Sequence, residues 1–385
     1  MIVFKKILFA LFLILLVLAL DIYRREFTGL GPTPERSSFS GRLPFTSDGN
    51  LRRFQFFYST VRENERESFE GRGNQLSKTI SNGVFDVLIN PGLTIRPFEW
   101  FEKASMRIDK REGVEEASFY KKLSESVSNS PNKSVLVIVW GFRDWFESAS
   151  LKTAYTGYIL DINTPIVLFD WPGNMGEGRS GYFAARQVAE TTAPKLGEWL
   201  KNLKKKTGAE KVWILGSSLG SQVITDALVW MNDNKADYKL SHVVLSAPDV
   251  AYDRFNEKLK ESIPNTSEHL TAYVASNDRA LLMSGWINGG RKLGRIDISL
   301  PPEQREDAYE FEEGEQLMDY DLKEVSVVDA TPINHTRNLH HFFTDSPEFF
   351  DDLYQRLLGP NEILSRRLHN LRQQNGRDYW ILWNY

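Results

Sequence analysis

Residues 211–220, Lys-Val-Trp-Ile-Leu-Gly-Ser-Ser-Leu-Gly, constrain the fold more than any other stretch of the chain. Val212 to Leu215 is a short apolar run with β-branched and aromatic members, which reads as a buried strand. After Gly220 the period changes: Val223, Ile224, Ala227, Leu228 and Met231 recur at helical spacing. The turn between them, Gly216-Ser217-Ser218-Leu219-Gly220, fits G-x-S-x-G. A serine in so sharp a strand-to-helix turn is pushed out above the sheet, and a Cβ at either glycine would strike the neighbouring backbone. Ser218 is therefore the candidate nucleophile. The N–H of Leu219, at the positive end of the following helix, is a candidate oxyanion donor. The five-residue pattern recurs by chance in about one in eight chains of this length, so its weight comes from the strand before it and the helix after it.

The rest of the chain supplies matching elements. Val135–Trp140, Ile166–Trp171, Val243–Leu245 and Leu270–Ala275 are apolar runs of the kind found in parallel strands covered on both faces. Phe54–Tyr58 and Gly83–Ile89 read as earlier strands, Glu63–Ser81 as a polar loop, and Val325–Asp329 as the last strand. Helices are expected over Ala117–Ser126, Leu151–Leu160 and Ala184–Lys206, the last with Pro194 at a kink or a first turn. The closing helix is signed by Ser346 as N-cap, Pro347 at its first position and Gly359-Pro360 as its stop. Apolar strands alternating with helices imply an α/β fold with a mostly parallel, doubly wound sheet. The expected organisation is a membrane anchor or signal segment over 1–25, a Gly/Pro/Ser-rich linker over 26–50, one folded domain over 51–360, and a C-terminal helix with an aromatic tail over 361–385.

A serine is a weak nucleophile near neutral pH until a base takes its proton, and the base needs a group to fix its tautomer. In this topology the acid follows the serine and the histidine follows the acid. Six histidines are present. His242 and His269 open strands and so lie at the wrong edge of the sheet, and His369 falls in the C-terminal polar segment. His335, His340 and His341 remain, all between the last strand and the last helix. For the acid, catalytic groups gather at the carboxyl ends of parallel strands. Asp278 follows the strand ending at Ala275 and is preferred; Asp249, after the strand ending at Ser246, is the alternative. Asp170 precedes the serine and reads as a turn or pocket residue. Gly141 permits close approach of the loop after the Val135–Trp140 strand, so the N–H of Phe142 is the second candidate oxyanion donor. Trp140, Phe142, Trp145, Phe146 and Trp171 stand at strand ends, where aromatics are more often core than the lining of an acyl pocket. No zinc-type cluster, P-loop or dinucleotide-binding glycine pattern occurs, so neither a metal nor a cofactor is expected.

The N-terminus carries a topological signal. Lys5 and Lys6 precede fourteen uninterrupted apolar residues, Ile7 to Leu20, followed by Asp21, Arg24 and Arg25. The segment is of export type, with Leu18-Ala19-Leu20 a poor small-residue cleavage site. An uncleaved single-pass anchor with an exported domain is the preferred expectation, although fourteen helical residues rise only about 21 Å; secretion after cleavage is the alternative. Lys plus Arg number 47 against 51 Asp plus Glu, which leaves no electrostatic footprint for nucleic acid. Cysteine is absent, which excludes disulfides, thiolate metal sites and a cysteine nucleophile.

Taken together, Val139–Arg143, Leu168–Pro172, Gly216–Gly220, Ser246–Asp249, Ser276–Leu281 and His340–Pro347, with Tyr58–Arg62 near the start, resemble in order and spacing the bacterial α/β-hydrolase family called domain of unknown function 900. The resemblance covers roughly residues 54 to 358. It implies an α/β-hydrolase fold with a serine-hydrolase triad of Ser218, Asp278 and His340. It also prefers His340 to His341, because the histidine stands at a fixed distance before Asp345-Ser346-Pro347. Two departures stand out: Trp140-Gly141 where similar proteins have His-Gly, and Ala185 where they have Asp. The expected activity is hydrolysis of an ester or related acyl bond in a small-molecule or lipid substrate. The alternative is a non-catalytic binding protein at the cell envelope, suggested by Trp140 and by the aromatic tail Tyr379–Tyr385.

Overall fold

The computed structural model describes residues 43–64, 72–95, 102–288, 290–295, 324–336, 339–358, 368–372 and 378–383. The apolar N-terminal segment lies outside the described residues. Among those described, no helix is long and apolar enough to cross a membrane.

The strands are β1 (Thr46–Asp48), β2 (Leu51–Asn64), β3 (Arg72–Ile89), β4 (Met106–Val114), β5 (Ser134–Val139), β6 (Ile166–Asp170), β7 (Lys211–Ser217), β8 (His242–Ser246), β9 (Leu270–Val274), β10 (Val325–Asp329), β11 (Leu368–Arg372) and β12 (Asp378–Leu382). The main helices are α1 (Glu116–Asn129), α2 (Phe146–Leu160), α3 (Gly178–Thr207), α4 (Leu219–Asp233), α5 (Lys260–Thr266), α6 (Arg279–Asn288) and α7 (Pro347–Leu358). The strands form one sheet in the order β11-β12-β10-β9-β8-β7-β5-β6-β2-β3-β4, with β1 paired to β2. From β2 through β12 the neighbours run parallel, while β3, β4 and β11 are antiparallel additions at the two flanks.

The apolar runs become central strands because both of their faces are covered. In β5 successive side chains point to opposite faces, so Val135, Val137 and Val139 pack with Phe119, Leu196, Leu200 and Val223 from α1, α3 and α4. Leu136 and Ile138 face the other layer, with Tyr155 and Ile159 of α2 and Phe349 and Leu353 of α7. Each such aliphatic side chain contributes roughly 1.5–3 kcal/mol when fully buried. Crossover helices on two faces force every central strand to run the same way, so the carboxyl ends of β5 to β10 open onto a single edge.

Three expectations are corrected. The polar stretch read as a loop is mostly a long hairpin: β2 continues to Asn64 and β3 begins at Arg72. Register shifts between Thr60, Arg62 and Asn64 interrupt the period-2 alternation that would have marked it. Helix α3 starts at Gly178 rather than Ala184 and runs through Pro194 to an αL cap at Gly208. The C-terminal segment, expected as a helix and an aromatic docking tail, instead contributes β11 and β12. Trp380 and Ile381 pair with Val328 and Asp329, and Leu382 is buried, so the tail extends the sheet beyond residue 360.

Candidate active site

Ser218 stands between β7 and α4 with φ 50° and ψ −127°. A non-glycine residue in that region costs on the order of 1–3 kcal/mol, which the surrounding backbone has to hold. It does so through three bonds: the Ser218 N–H donates to the Ser246 carbonyl at 3.0 Å, and the Ser218 carbonyl accepts from the N–H groups of Ser221 and Asp249, each at 3.0 Å. The loop after β5 presses directly on this turn. A Cβ at Gly220 would strike the carbonyl oxygens of Val139 and Trp140, and one at Gly141 would lie 2.9 Å from both the Ser217 oxygen and Ser218 Cβ. The same position is 3.3 Å from the Leu219 nitrogen. Leu219 is the first residue of α4, so its N–H has no partner within the helix. The adjoining Phe142 is half-buried, its ring edge-on to Tyr182 at 5.5 Å.

Asp278 follows β9 and is fully buried. Its Oδ1 accepts the Leu281 N–H at 2.9 Å at the start of α6, and its Oδ2 lies 2.7 Å from Nδ1 of His340. With Nδ1–H donating to the carboxylate, Nε2 of His340 is left as the acceptor. Neighbouring rings connect the histidine to the elbow. The His340 ring meets Phe343 at 5.7 Å, edge to face, and Phe343 lies 6.4 Å from Trp140, the residue before Gly141. Ser218, Asp278 and His340 thus occupy one edge of the sheet, carried by three separate connections.

The structure separates the remaining candidates. His341 is half-buried 5.5 Å from the His340 ring, and His335 is exposed. Asp249 is buried but engaged elsewhere: it accepts from Tyr182 Oη at 2.6 Å and Ser284 Oγ at 2.7 Å, and pairs with buried Lys292 at 2.9 Å. Burial, then the adjacent Asp249 charge, pushes the Tyr182 hydroxyl pKa well above its ordinary value. Asp170 receives Nε of the fully buried Arg62 at 2.9 Å and Thr60 Oγ1 at 2.6 Å, and that guanidinium also donates to the Asp144 carbonyl at 2.7 Å. This pair braces the ends of β2 and β6 next to the oxyanion loop. Trp140 is held in the core: its indole N–H donates to Thr153 Oγ1 on α2 at 2.8 Å, and Trp171 donates to the Trp140 carbonyl at 2.7 Å. Trp140, Phe146 and Trp171 are buried core, whereas Trp145 is exposed. Among the described residues, no group of three or more histidines and carboxylates is placed to hold a metal ion.

Sequence reasoning missed the residues that hold the histidine loop. Buried Asn334 donates through Nδ2 to Asn277 Oδ1 at 2.9 Å and to the Leu339 carbonyl at 2.8 Å, while Asn277 donates back to the Asn334 carbonyl at 3.1 Å. Asn277 adjoins the acid, and Leu339, at φ 48°, adjoins the base. An asparagine beside each candidate loop was the available signal, but asparagine is common in turns and does not stand out there. Tyr182 and Lys292 left no local trace, because their partner Asp249 comes from a different connection.

Comparison with known proteins agrees with this architecture. The family described as alpha/beta hydrolase of unknown function (DUF900) matches residues 115–359. No curated protein matches the chain. Among solved structures, active domain 2 of a thermostable chitinase from Pyrococcus furiosus, crystallised as catalytic-site mutants with chito-oligosaccharides, is similar at 12% identity. That likeness covers 56% of this chain and 67% of the chitinase chain with a TM-score of 0.21, too low to carry an argument about fold or function. The family match spans well over half of the sequence and includes all three residues of the serine, aspartate and histidine set, and the chain belongs to the alpha/beta hydrolases of unknown function.

Proposed function

We propose that this chain is a serine hydrolase that cleaves an ester or related acyl bond through an acyl-enzyme on Ser218. His340 Nε2 takes the Ser218 proton as Oγ attacks the acyl carbon, and returns it to the leaving group as the tetrahedral intermediate collapses. A water activated by the same nitrogen then releases the acyl group. Asp278 holds the imidazole tautomer and steadies the imidazolium, and the Leu219 and Phe142 N–H groups receive the oxyanion. The observation that carries this reading is the 2.7 Å contact between buried Asp278 and His340 at the sheet edge where Ser218 is held in a strained turn. A purely structural role needs neither the strain nor a buried acid–imidazole pair.

The binding-protein alternative drew on two sequence features, and each has a place in the packing. Trp140 is bonded to Thr153 in the core, and the aromatic tail is a strand of the sheet. Neither displaces a backbone N–H from the oxyanion loop. The apolar segment Ile7–Leu20 completes the proposal as a membrane tether with the hydrolase domain exported.

Release of p-nitrophenol from short acyl esters by the purified full chain tests the reading. Ester turnover abolished in Ser218→Ala supports it; turnover that persists unchanged in that variant refutes it.

A further inference from the structure

Helix α6 lies across the carboxyl edge of the sheet. It starts at Arg279, directly after Asp278, and the chain returns at Arg291–Gly294 to bond the connection after β8, with the Leu293 N–H on the Val250 carbonyl at 2.8 Å and the Gly294 N–H on the Pro248 carbonyl at 2.9 Å. Its inner face carries buried Leu281 and Ser284 and meets the first turns of α3 through Ser284 with Tyr182 at 2.7 Å and Asn288 with Arg186 at 2.8 Å. Its outer face carries Arg279, Met283 and Trp286, with Met283 51% and Trp286 72% exposed. Phe183 on α3 and Trp145 at the head of α2 are also exposed on this edge, and Trp383 follows the carboxyl end of β12. Among the described residues, five of the six large exposed apolar side chains therefore stand on the edge that holds Ser218; Phe45, near the amino ends of the strands, is the sixth.

Cations are interleaved with them. Arg179 lies over the Phe183 ring at 5.4 Å and Arg291 over Tyr252 at 5.9 Å, and Arg279 is one helical turn from Met283. Arg143 is answered by Glu177 at 2.9 Å. Indoles and other large apolar groups protruding from separate elements, with guanidiniums beside them, suit the boundary between acyl chains and phosphate headgroups. A protein partner would instead call for one contiguous patch depleted of charge at its centre.

We propose that this edge is a lipid-docking face: Met283, Trp286, Phe183 and Trp145 enter an anionic phospholipid surface, and Arg179, Arg279 and Arg291 meet its phosphates. The acyl substrate would then reach Ser218 from that surface, a consequence that rests on the serine-hydrolase reading, whereas the docking itself does not.

The absence of cysteine permits a direct test. Met283→Cys and Phe45→Cys are each made in the full chain carrying Ser218→Ala, labelled with an environment-sensitive fluorophore, and mixed with vesicles of phosphatidylglycerol and phosphatidylcholine. The N-terminal segment would hold both variants to the vesicles equally, so the readout is the difference between the two labels. The 283 label is expected to shift to the blue and brighten by about twofold or more, with the 45 label unchanged and the 283 response several-fold weaker on phosphatidylcholine alone. An unchanged 283 label, a response at 45 instead, an equal response on neutral vesicles, or a 283 response to protein concentration without vesicles, as a second copy would give, each overturns the proposal. Hydrolysis of a water-soluble ester by the Ser218 protein separates the two readings. If it persists while the 283 label fails, docking alone is wrong; if the label responds while no ester is cleaved, the hydrolase reading alone is wrong.

Discussion

Two buried histidines sit at opposite ends of the same sheet, and their surroundings differ. At the amino end His242 opens β8 with Nε2 2.8 Å from Thr271 Oγ1, and burial, followed by the Arg356 charge, pushes its pKa down to about 3. The carboxylate of that region, Asp352, is already taken by the Tyr273 hydroxyl at 2.5 Å and Arg356 Nε at 2.8 Å. At the carboxyl end His340 faces Asp278, whose other oxygen is held by a backbone N–H. The backbones differ as well. His242 lies on a regular strand, whereas Leu339, next to His340, and Arg143, Ser218 and Ala247 in the loops at that edge have positive φ; Lys133, Asp161 and Lys235 share that conformation in turns elsewhere. Burial alone makes an inert imidazole. A reactive one needs an acid with no other cation to serve and loops willing to carry strain.

The sharpest way to break the comparison is to remove each of the two histidines in turn. His340→Ala should lower kcat/KM for a soluble ester by roughly 10⁴- to 10⁶-fold, as expected for a triad base. His242→Gln should change it by less than about threefold, because His242 pairs with Trp213 at the opposite end of β7 from the elbow. Equal losses, measured on protein with unchanged circular dichroism, would erase the distinction. Asp278→Asn keeps the size of the side chain but favours the wrong imidazole tautomer, so kcat should fall by roughly 10⁴-fold with KM little changed.

The third contrast is in stability against pH. Between about pH 6.5 and the folded value of about 3, unfolded His242 binds a proton that the folded state refuses, so stability rises with pH and is lost as pH falls through that window. The loss between pH 7 and about pH 4.5 should be roughly 2–3 kcal/mol in urea titrations, and His242→Gln should remove it. Asp226 acts in the opposite direction. Burial raises its pKa to about 6, so its folded form holds a proton the unfolded chain releases, and stability from that source falls as pH rises toward 6. The His242 contribution is therefore read as the difference between wild type and variant. Smallest of the four, Tyr182→Phe leaves Asp249 short of a donor and should cost about 1–3 kcal/mol of stability. Its effect on ester turnover should stay within about tenfold, because Tyr182 meets the site at one remove, through the Phe142 ring and through Asp249, whose N–H bonds the Ser218 carbonyl. A loss as large as that of His340→Ala would point to Asp249 as the working acid.

The sequence made the central strands and the elbow legible because each has a local cause: apolar runs bounded by glycine, then a change of period at Gly220. The antiparallel flank was legible only in part, for a physical reason. Phe54–Tyr58 and Gly83–Ile89 mark the apolar parts of β2 and β3, but their polar continuations to Asn64 and from Arg72 carry bulges that shift the period-2 alternation that marks a strand. The tail at Trp380–Leu382 looked like a docking segment because a burying partner, here β10, lies some fifty residues away in sequence. At the site, Asp278 was readable from its place after a strand. Residues alone left His335, His340 and His341 open, and the preference for His340 came from family resemblance. The Asn277–Asn334 clasp and the Tyr182–Asp249–Lys292 set join distant connections, and only three-dimensional proximity reveals them.

Reaction with a fluorophosphonate probe tests the central claim most directly. Labelled protein is digested and the modified residue mapped in wild type, His340→Ala and His242→Gln. If Ser218 is activated by His340 held on Asp278, the probe marks Ser218 in wild type and in His242→Gln and is lost from His340→Ala. Labelling of Ser218 that survives in His340→Ala, or its absence from folded wild type at neutral to alkaline pH, would contradict the account.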